Sequence, residues 1–137
     1  MFVDASVIVA ILGREPGHEE LEKRMAAVRR PFFVSPLVKF EAATALARQK
    51  AGGTPSPDLL RQARDVVDVF IEDIGAEEVA ISPEIGRGAL DASATYGKAV
   101  GHAAELNFGD CFAYACAKAL GAPLLYKGRD FALTDLA

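Results

Sequence analysis

Met1-Phe2-Val3-Asp4-Ala5-Ser6, continued by the apolar run to Leu12, is the stretch that decides the fold. Phe2 and Val3 are strand-prone, whereas Ser6 to Leu12 reads as an apolar helix, so a short strand, roughly Phe2 to Asp4, feeds directly into a helix. The acid at the junction falls at the carboxyl end of a first strand, where open α/β sheets place their ligand sites. A carboxylate is costly to bury there unless it coordinates a cation or accepts hydrogen bonds, and an N-cap role is its structural alternative. Two further acids, Glu41 and Asp110, interrupt otherwise apolar helical stretches. Three acids where the pattern asks for core point to a carboxylate cluster that binds a metal.

Outward from that stretch, short β-like runs alternate with longer helical ones, the mark of a parallel sheet flanked by helices. A second helix follows Pro16-Gly17, and Phe32-Phe33-Val34 reads as the next strand. Ser35-Pro36 supplies an N-cap and a first-turn proline for a helix that paired glycines stop at Gly52-Gly53. Leu37, Phe40, Ala43 and Ala47 are expected to form the apolar stripe of that helix, with Glu41 at its edge. Thr54-Pro55-Ser56-Pro57 is a turn, and Pro57 begins another helix. Glu78 to Ile81 reads as a third strand, Ser82-Pro83 repeats the cap-and-proline device, and a helix follows. The segment from Tyr96 to Asn107 carries little pattern; a helix runs from Asp110 to Leu120, and Pro123-Leu124-Leu125-Tyr126 is the last strand. The expected fold is α/β, with a central parallel sheet of four to five short strands flanked by helices, in one domain over residues 1–137.

Composition narrows the function. A hydrophobic share of 51% and a charged share of 25% are ordinary for a soluble globular protein. No apolar run approaches the ~18 residues of a membrane span, and no basic-then-apolar leader opens the chain, so the default location is the cytoplasm and no membrane partner is expected. The net charge of −4 argues against a protein that coats nucleic acid. It leaves room for an enzyme that meets nucleic acid at one site, since a divalent cation inverts local charge. Cys111 and Cys116 fall in one helix with no zinc or redox spacing and read as buried small hydrophobes.

Carboxylates brought together repel, and one holds its proton unless a cation is present. Hard oxygen ligands suit Mg²⁺ or Mn²⁺, whereas His18 and His102, in polar or flexible stretches, give zinc little support. An acid-rich Mg²⁺ site is common machinery for phosphodiester hydrolysis. Structural roles stand beside these: Glu41 as a boundary residue paired with Arg48 or Lys39, and Asp110 as a first-turn acid favoured by the helix dipole.

Phe2-Val3-Asp4-Ala5-Ser6, Glu41 in the third helix, and Leu106-Asn107-Phe108-Gly109-Asp110-Cys111 with the alanine-rich helix after it resemble PIN-domain ribonucleases, more narrowly the VapC-type toxins of type II toxin–antitoxin pairs. Pro123 to Phe131 resembles that family's last strand and site loop, so the resemblance covers essentially the whole chain. It implies a Mg²⁺- or Mn²⁺-dependent endoribonuclease with Asp4 and Asp110 as metal ligands and Glu41 completing the pocket. It further implies a supporting hydroxyl at Ser6, an RNA substrate, a cognate antitoxin and a homodimer. Many family members carry an acid or Asn where this chain has Gly128; Asp130 is expected to serve from a shifted position, through water. Lys127 and Arg129 flank it as candidate phosphate contacts. Two other readings remain: a haloacid-dehalogenase-like phosphatase, which wants a second Asp where Ser6 stands, and a non-catalytic PIN-like binding module.

Overall fold

The computed structural model describes residues 1–29 and 31–137. Phe2–Val3 forms β1 and runs into α1 (Ala5–Leu12), followed by α2 (His18–Ala27) and β2 (Phe32–Val34). Then come α3 (Pro36–Ala51), α4 (Pro57–Asp73), β3 (Ala76–Glu78) and α5 (Pro83–Tyr96). A 3₁₀ turn at Lys98–Val100 leads to α6 (Phe108–Leu120) and β4 (Leu124–Leu125). One device starts three of the helices. Ser35, Ser56 and Ser82 accept the amides of Val38, Leu59 and Ile85 at 3.3, 3.1 and 3.2 Å, each with proline next in the chain.

The sheet has four parallel strands in the order β3-β2-β1-β4. Phe2 pairs with Phe33 on one side and with Leu124 on the other, which makes β1 central. The chain therefore works outward from β1 to β3 and returns to lay β4 on β1's other edge. In open sheets such a reversal marks a crevice beyond the carboxyl ends of the strands, here those of β1 and β4, as the usual place for a ligand. Phe2, Val3, Val34 and Leu125 are fully buried, and Val7, Ile8, Cys116 and Ala117 close on them from α1 and α6. Small side chains on α6 let that helix approach the sheet closely. Among the described residues no helix is long and apolar enough to cross a membrane.

Three expectations shift. The third strand lies at Ala76–Glu78 rather than Glu78–Ile81: it is an edge strand held by register to β2, Phe32 to Ala76 and Val34 to Glu78, and its exposed side chains carry no apolar signal. The buried stripe of α3 is Val38, Ala42, Ala43 and Ala47, while Phe40 is 70% exposed. That rotation turns Glu41 inward, beside Ala42. Finally α6 starts at Phe108 instead of Asp110, because the side chain of Asn107 caps it.

Candidate active site

Asp4 continues the sheet for one residue beyond β1, donating its amide to the Leu125 carbonyl at 2.9 Å. It then caps α1, its Oδ2 accepting the Ser6 amide at 2.9 Å and the Ser6 hydroxyl at 2.5 Å. Ser6 Oγ in turn accepts the Lys127 amide at 3.0 Å, so one hydroxyl ties the end of β1 to the loop after β4. Only 8% of Asp4 is exposed. Burial pushes its carboxyl above the usual range, and the hydrogen bonds from Ser6 oppose that shift.

Asp110 is the third residue of α6, where it completes a capping box. Asn107 Oδ1 accepts the Asp110 amide at 3.0 Å, and Asp110 Oδ2 accepts the Asn107 amide at 2.9 Å. Capping and membership of an acid cluster are thus compatible, because the cap uses one of the two carboxylate oxygens. Burial raises its pKa to about 6, opposed by the Asn107 amide and reinforced by the charges of Asp4 and Asp130.

Glu41 reaches the same place from α3. Burial first, then the charges of Asp4 and Asp110, push its pKa to about 7. The pairing with Lys39 does not form: that ammonium lies 2.8 Å from Asp68 and 3.0 Å from Glu78. Glu41 instead rests on Gly109. A Cβ built on Gly109 would stand 2.1 and 2.3 Å from the two Glu41 carboxylate oxygens. The three acids thus meet at the crevice without a cationic side chain to neutralise them among the described ion pairs.

The loop after β4 brings the fourth acid. Gly128 has φ +100°, a conformation side chains resist, and Asp130 Oδ2 comes within 3.9 Å of the point a Gly128 Cβ would occupy. The Asp130 carboxylate therefore lies beside the position where many relatives in the resembled family carry their acid. Asp130 itself is exposed, yet its charge raises both Asp4 and Asp110. Lys127 is not a free cation, since its ammonium is paired with Glu15, while Arg129 is exposed.

The donors gathered here are all carboxylate oxygens. His18 sits 3.7 Å from Glu22, and His102 Nδ1 accepts the Ala104 amide at 3.0 Å, each away from the acids. Among the described residues no group of three or more His, Cys, Asp or Glu side chains is placed to hold a metal ion as it stands. Carboxylate oxygens are hard donors, and the cations they suit are those that keep several of their waters, as Mg²⁺ and Mn²⁺ do. Two contributors escaped the sequence reading. The Asn107-to-Asp110 spacing is that of a capping box and was legible; the seat at Gly109 was not, because it depends on α3 crossing α6.

A family model described as PIN domain matches residues 1–136. A VapC ribonuclease of Rhizobium meliloti (strain 1021) is 55% identical over 139 residues, covering 98% of each chain. Ribonuclease VapC42 of Mycobacterium tuberculosis (strain ATCC 25618 / H37Rv) is 34% identical, covering 99% of this chain and 96% of its own. The chain belongs to the PIN-domain family and, within it, to the VapC ribonucleases. Solved structures show the same fold. VapC20 of Mycobacterium tuberculosis, described as a sarcin-ricin loop cleaving toxin, superposes with TM-score 0.70 at 18% identity, over 96% of this chain and 92% of that one. A chain of a toxin–antitoxin complex from Klebsiella pneumoniae superposes with TM-score 0.67 at 15% identity, over 98% and 92%.

Proposed function

We propose that this chain is the toxin of a toxin–antitoxin pair, an endoribonuclease that hydrolyses RNA phosphodiester bonds with Mg²⁺, or Mn²⁺, held by its carboxylates. The observation that carries this reading is the mutual influence of Asp4, Glu41 and Asp110 beyond the carboxyl ends of β1 and β4, with raised pKa values and no neutralising side chain among the described residues. Asp4 and Asp110 would hold the ion directly, and Glu41 would complete the inner pocket. When bound, such an ion offsets charge on the phosphate oxygens and makes water a better nucleophile. Ser6 fixes the Asp4 carboxylate and the Lys127 backbone together, so the two walls of the crevice keep one spacing. Asn107 fixes Asp110 in the same way. Asp130 adds negative charge at the rim and orients water there. Arg129 contacts substrate phosphate, while Lys127 does so only by leaving Glu15.

RNA is polyanionic and the chain carries a net charge of −4, so binding depends on the cation reversing the local sign. Neither alternative gains support. Ser6 stands where a phosphatase of the haloacid-dehalogenase type needs a second Asp, and a non-catalytic module would have no use for four converging acids. The outward faces of α3 and α4 present Phe40, Leu60, Val66 and Val69 at 70, 38, 50 and 56% exposure, which supports a homodimer through those helices. An antitoxin partner in the cytoplasm follows from kinship with the VapC ribonucleases. The test is cleavage of a structured RNA by the purified chain with Mg²⁺, with EDTA, and by Asp4→Asn. Cleavage that ignores EDTA or survives Asp4→Asn overturns the reading, and light scattering that shows a monomer at micromolar concentration overturns the dimer.

A further inference from the structure

We infer that Gly109 is a positioning residue: its missing side chain is the seat that holds the Glu41 carboxylate in the acid cluster. The inference rests on the nuclease reading above and deepens it by naming a group that acts on the site through another residue. Gly109 is buried within the first turn of α6, and its φ lies outside the left-handed region that six other glycines occupy. Backbone conformation therefore gives no reason for glycine, and helix propensity favours alanine. The reason lies across the helix interface. A Cβ at 109 would sit 2.1, 2.3 and 2.4 Å from Glu41 Oε1, Oε2 and Cδ. No real contact is that short, so one of the two groups must leave.

Glu41 is the one that moves, because those atoms are the end of a flexible side chain. Gly109→Ala should then fold, with the carboxylate swung out of the crevice. Gly86 provides the control: it too lies within a helix, α5, and a Cβ there meets nothing within 4 Å.

The experiment compares Gly109→Ala, Gly86→Ala, Glu41→Asp, Glu41→Ala and the doubles of Gly109→Ala with each Glu41 variant. It follows RNA cleavage with Mg²⁺ and thermal melting without metal or RNA. Gly109→Ala is expected to lose about 100-fold in kcat, close to the loss in Glu41→Ala, with KM little changed, because both take the Glu41 carboxylate out of the cluster. Gly86→Ala should match wild type. Glu41→Asp withdraws the carboxylate by one methylene, so adding Gly109→Ala to it should cost far less than adding it to wild type. In melting, Gly109→Ala should be harmless or stabilising once Glu41 is alanine. Wild-type cleavage by Gly109→Ala, equal losses in both glutamate and aspartate backgrounds, or unfolding that persists in Glu41→Ala/Gly109→Ala would each overturn the seat. If the wild-type chain cleaves no RNA, the nuclease reading falls, and the coupling between residues 41 and 109 in the melts still decides the seat by itself.

Discussion

Glu15 and Glu41 are the same residue type on one framework, and they end in opposite electrostatic states. Glu15, in the turn after α1, receives the Lys127 ammonium and the Gln49 amide at 2.7 Å, which hold its carboxyl below the usual range. Glu41 receives no cation among the described residues, and burial drives it to about 7. Two aspartates repeat the contrast. Asp135 takes the Tyr114 hydroxyl at 2.7 Å and the Lys118 ammonium at 2.8 Å and is lowered, whereas Asp110 is raised to about 6. The outer acids Glu15 and Asp135 are neutralised by the chain's own lysines, whereas the inner Glu41 and Asp110 have no cationic partner among the described ion pairs. That separation distinguishes a binding site from an acidic surface.

The largest effect expected from this contrast is on cleavage. Asp4→Asn and Asp110→Asn should each lower RNA cleavage by more than ~100-fold, since they remove proposed metal contacts rather than supporting ones. The folds should survive: an Asn oxygen at 110 still accepts the Asn107 amide, and removing one charge relieves repulsion. Cleavage assays run beside melts would show it. A wild-type rate in either variant breaks the distinction between inner and outer acids.

Next comes pH. Glu41 has an ordinary pKa of 4.5 and a folded value of about 7, so between them the folded state binds more protons than the unfolded one. Metal-free stability attributable to Glu41 therefore falls as pH rises from about 4.5 to about 7 and is flat above. Asp110 behaves alike from 3.8 to about 6. Glu15 has the opposite sign: its stabilisation is present above 4.5 and is lost as pH falls below it. At pH 8 without metal, Glu41→Gln should be more stable than wild type by about 1 kcal/mol after allowance for solvent screening, with no gain at pH 4. Saturating Mg²⁺ should reverse the order, since an ion at 100 times its Kd adds about 2.7 kcal/mol to the state that binds it. A Glu41→Gln chain less stable than wild type at both pH values would refute the raised pKa.

Asp130 tests the boundary between the two classes, being exposed yet felt by Asp4 and Asp110. Asp130→Ala should cost ~10–100-fold in cleavage, less than Glu41→Ala, as suits a group that acts through water. A loss as complete as that of Asp4→Asn would make it a direct ligand.

Much of this was legible in the chain because the signals were local. Asp4 follows a strand and precedes a helix, the Ser-Pro pairs start helices, and Asn107 stands at cap spacing from Asp110; each pattern fits within a few residues. Apart from the Asn107 cap, which is local and was overlooked, what escaped depends on contacts between distant segments. The apolar residues after Glu78 suggested strand where backbone register to β2 places it earlier, at Ala76–Glu78. Phe40 read as core because it is large and apolar, but the close packing of α3 selected Ala42, Ala43 and Ala47. The Glu15–Lys127 pair joins the turn after α1 to the loop after β4, so no spacing rule could have revealed that Lys127 is occupied.

That pair gives the smallest expected effect and the sharpest control. Its side chains are 29% and 32% exposed, so Glu15→Gln should cost only about 0.2–1 kcal/mol of stability, and the difference from wild type should shrink as salt is raised. Cleavage should stay near wild type, because the Lys127 amide keeps its bond to Ser6 Oγ whatever its ammonium does. Assays at low and high salt beside the melts would separate two departures. A rise in cleavage at low salt only would mean that the freed Lys127 ammonium reaches substrate phosphate and that Glu15 restrains it. A fall as deep as that of Asp130→Ala would mean that the outer pair holds the site loop in place, and the division between neutralised outer acids and working inner ones would have to be redrawn to include Glu15.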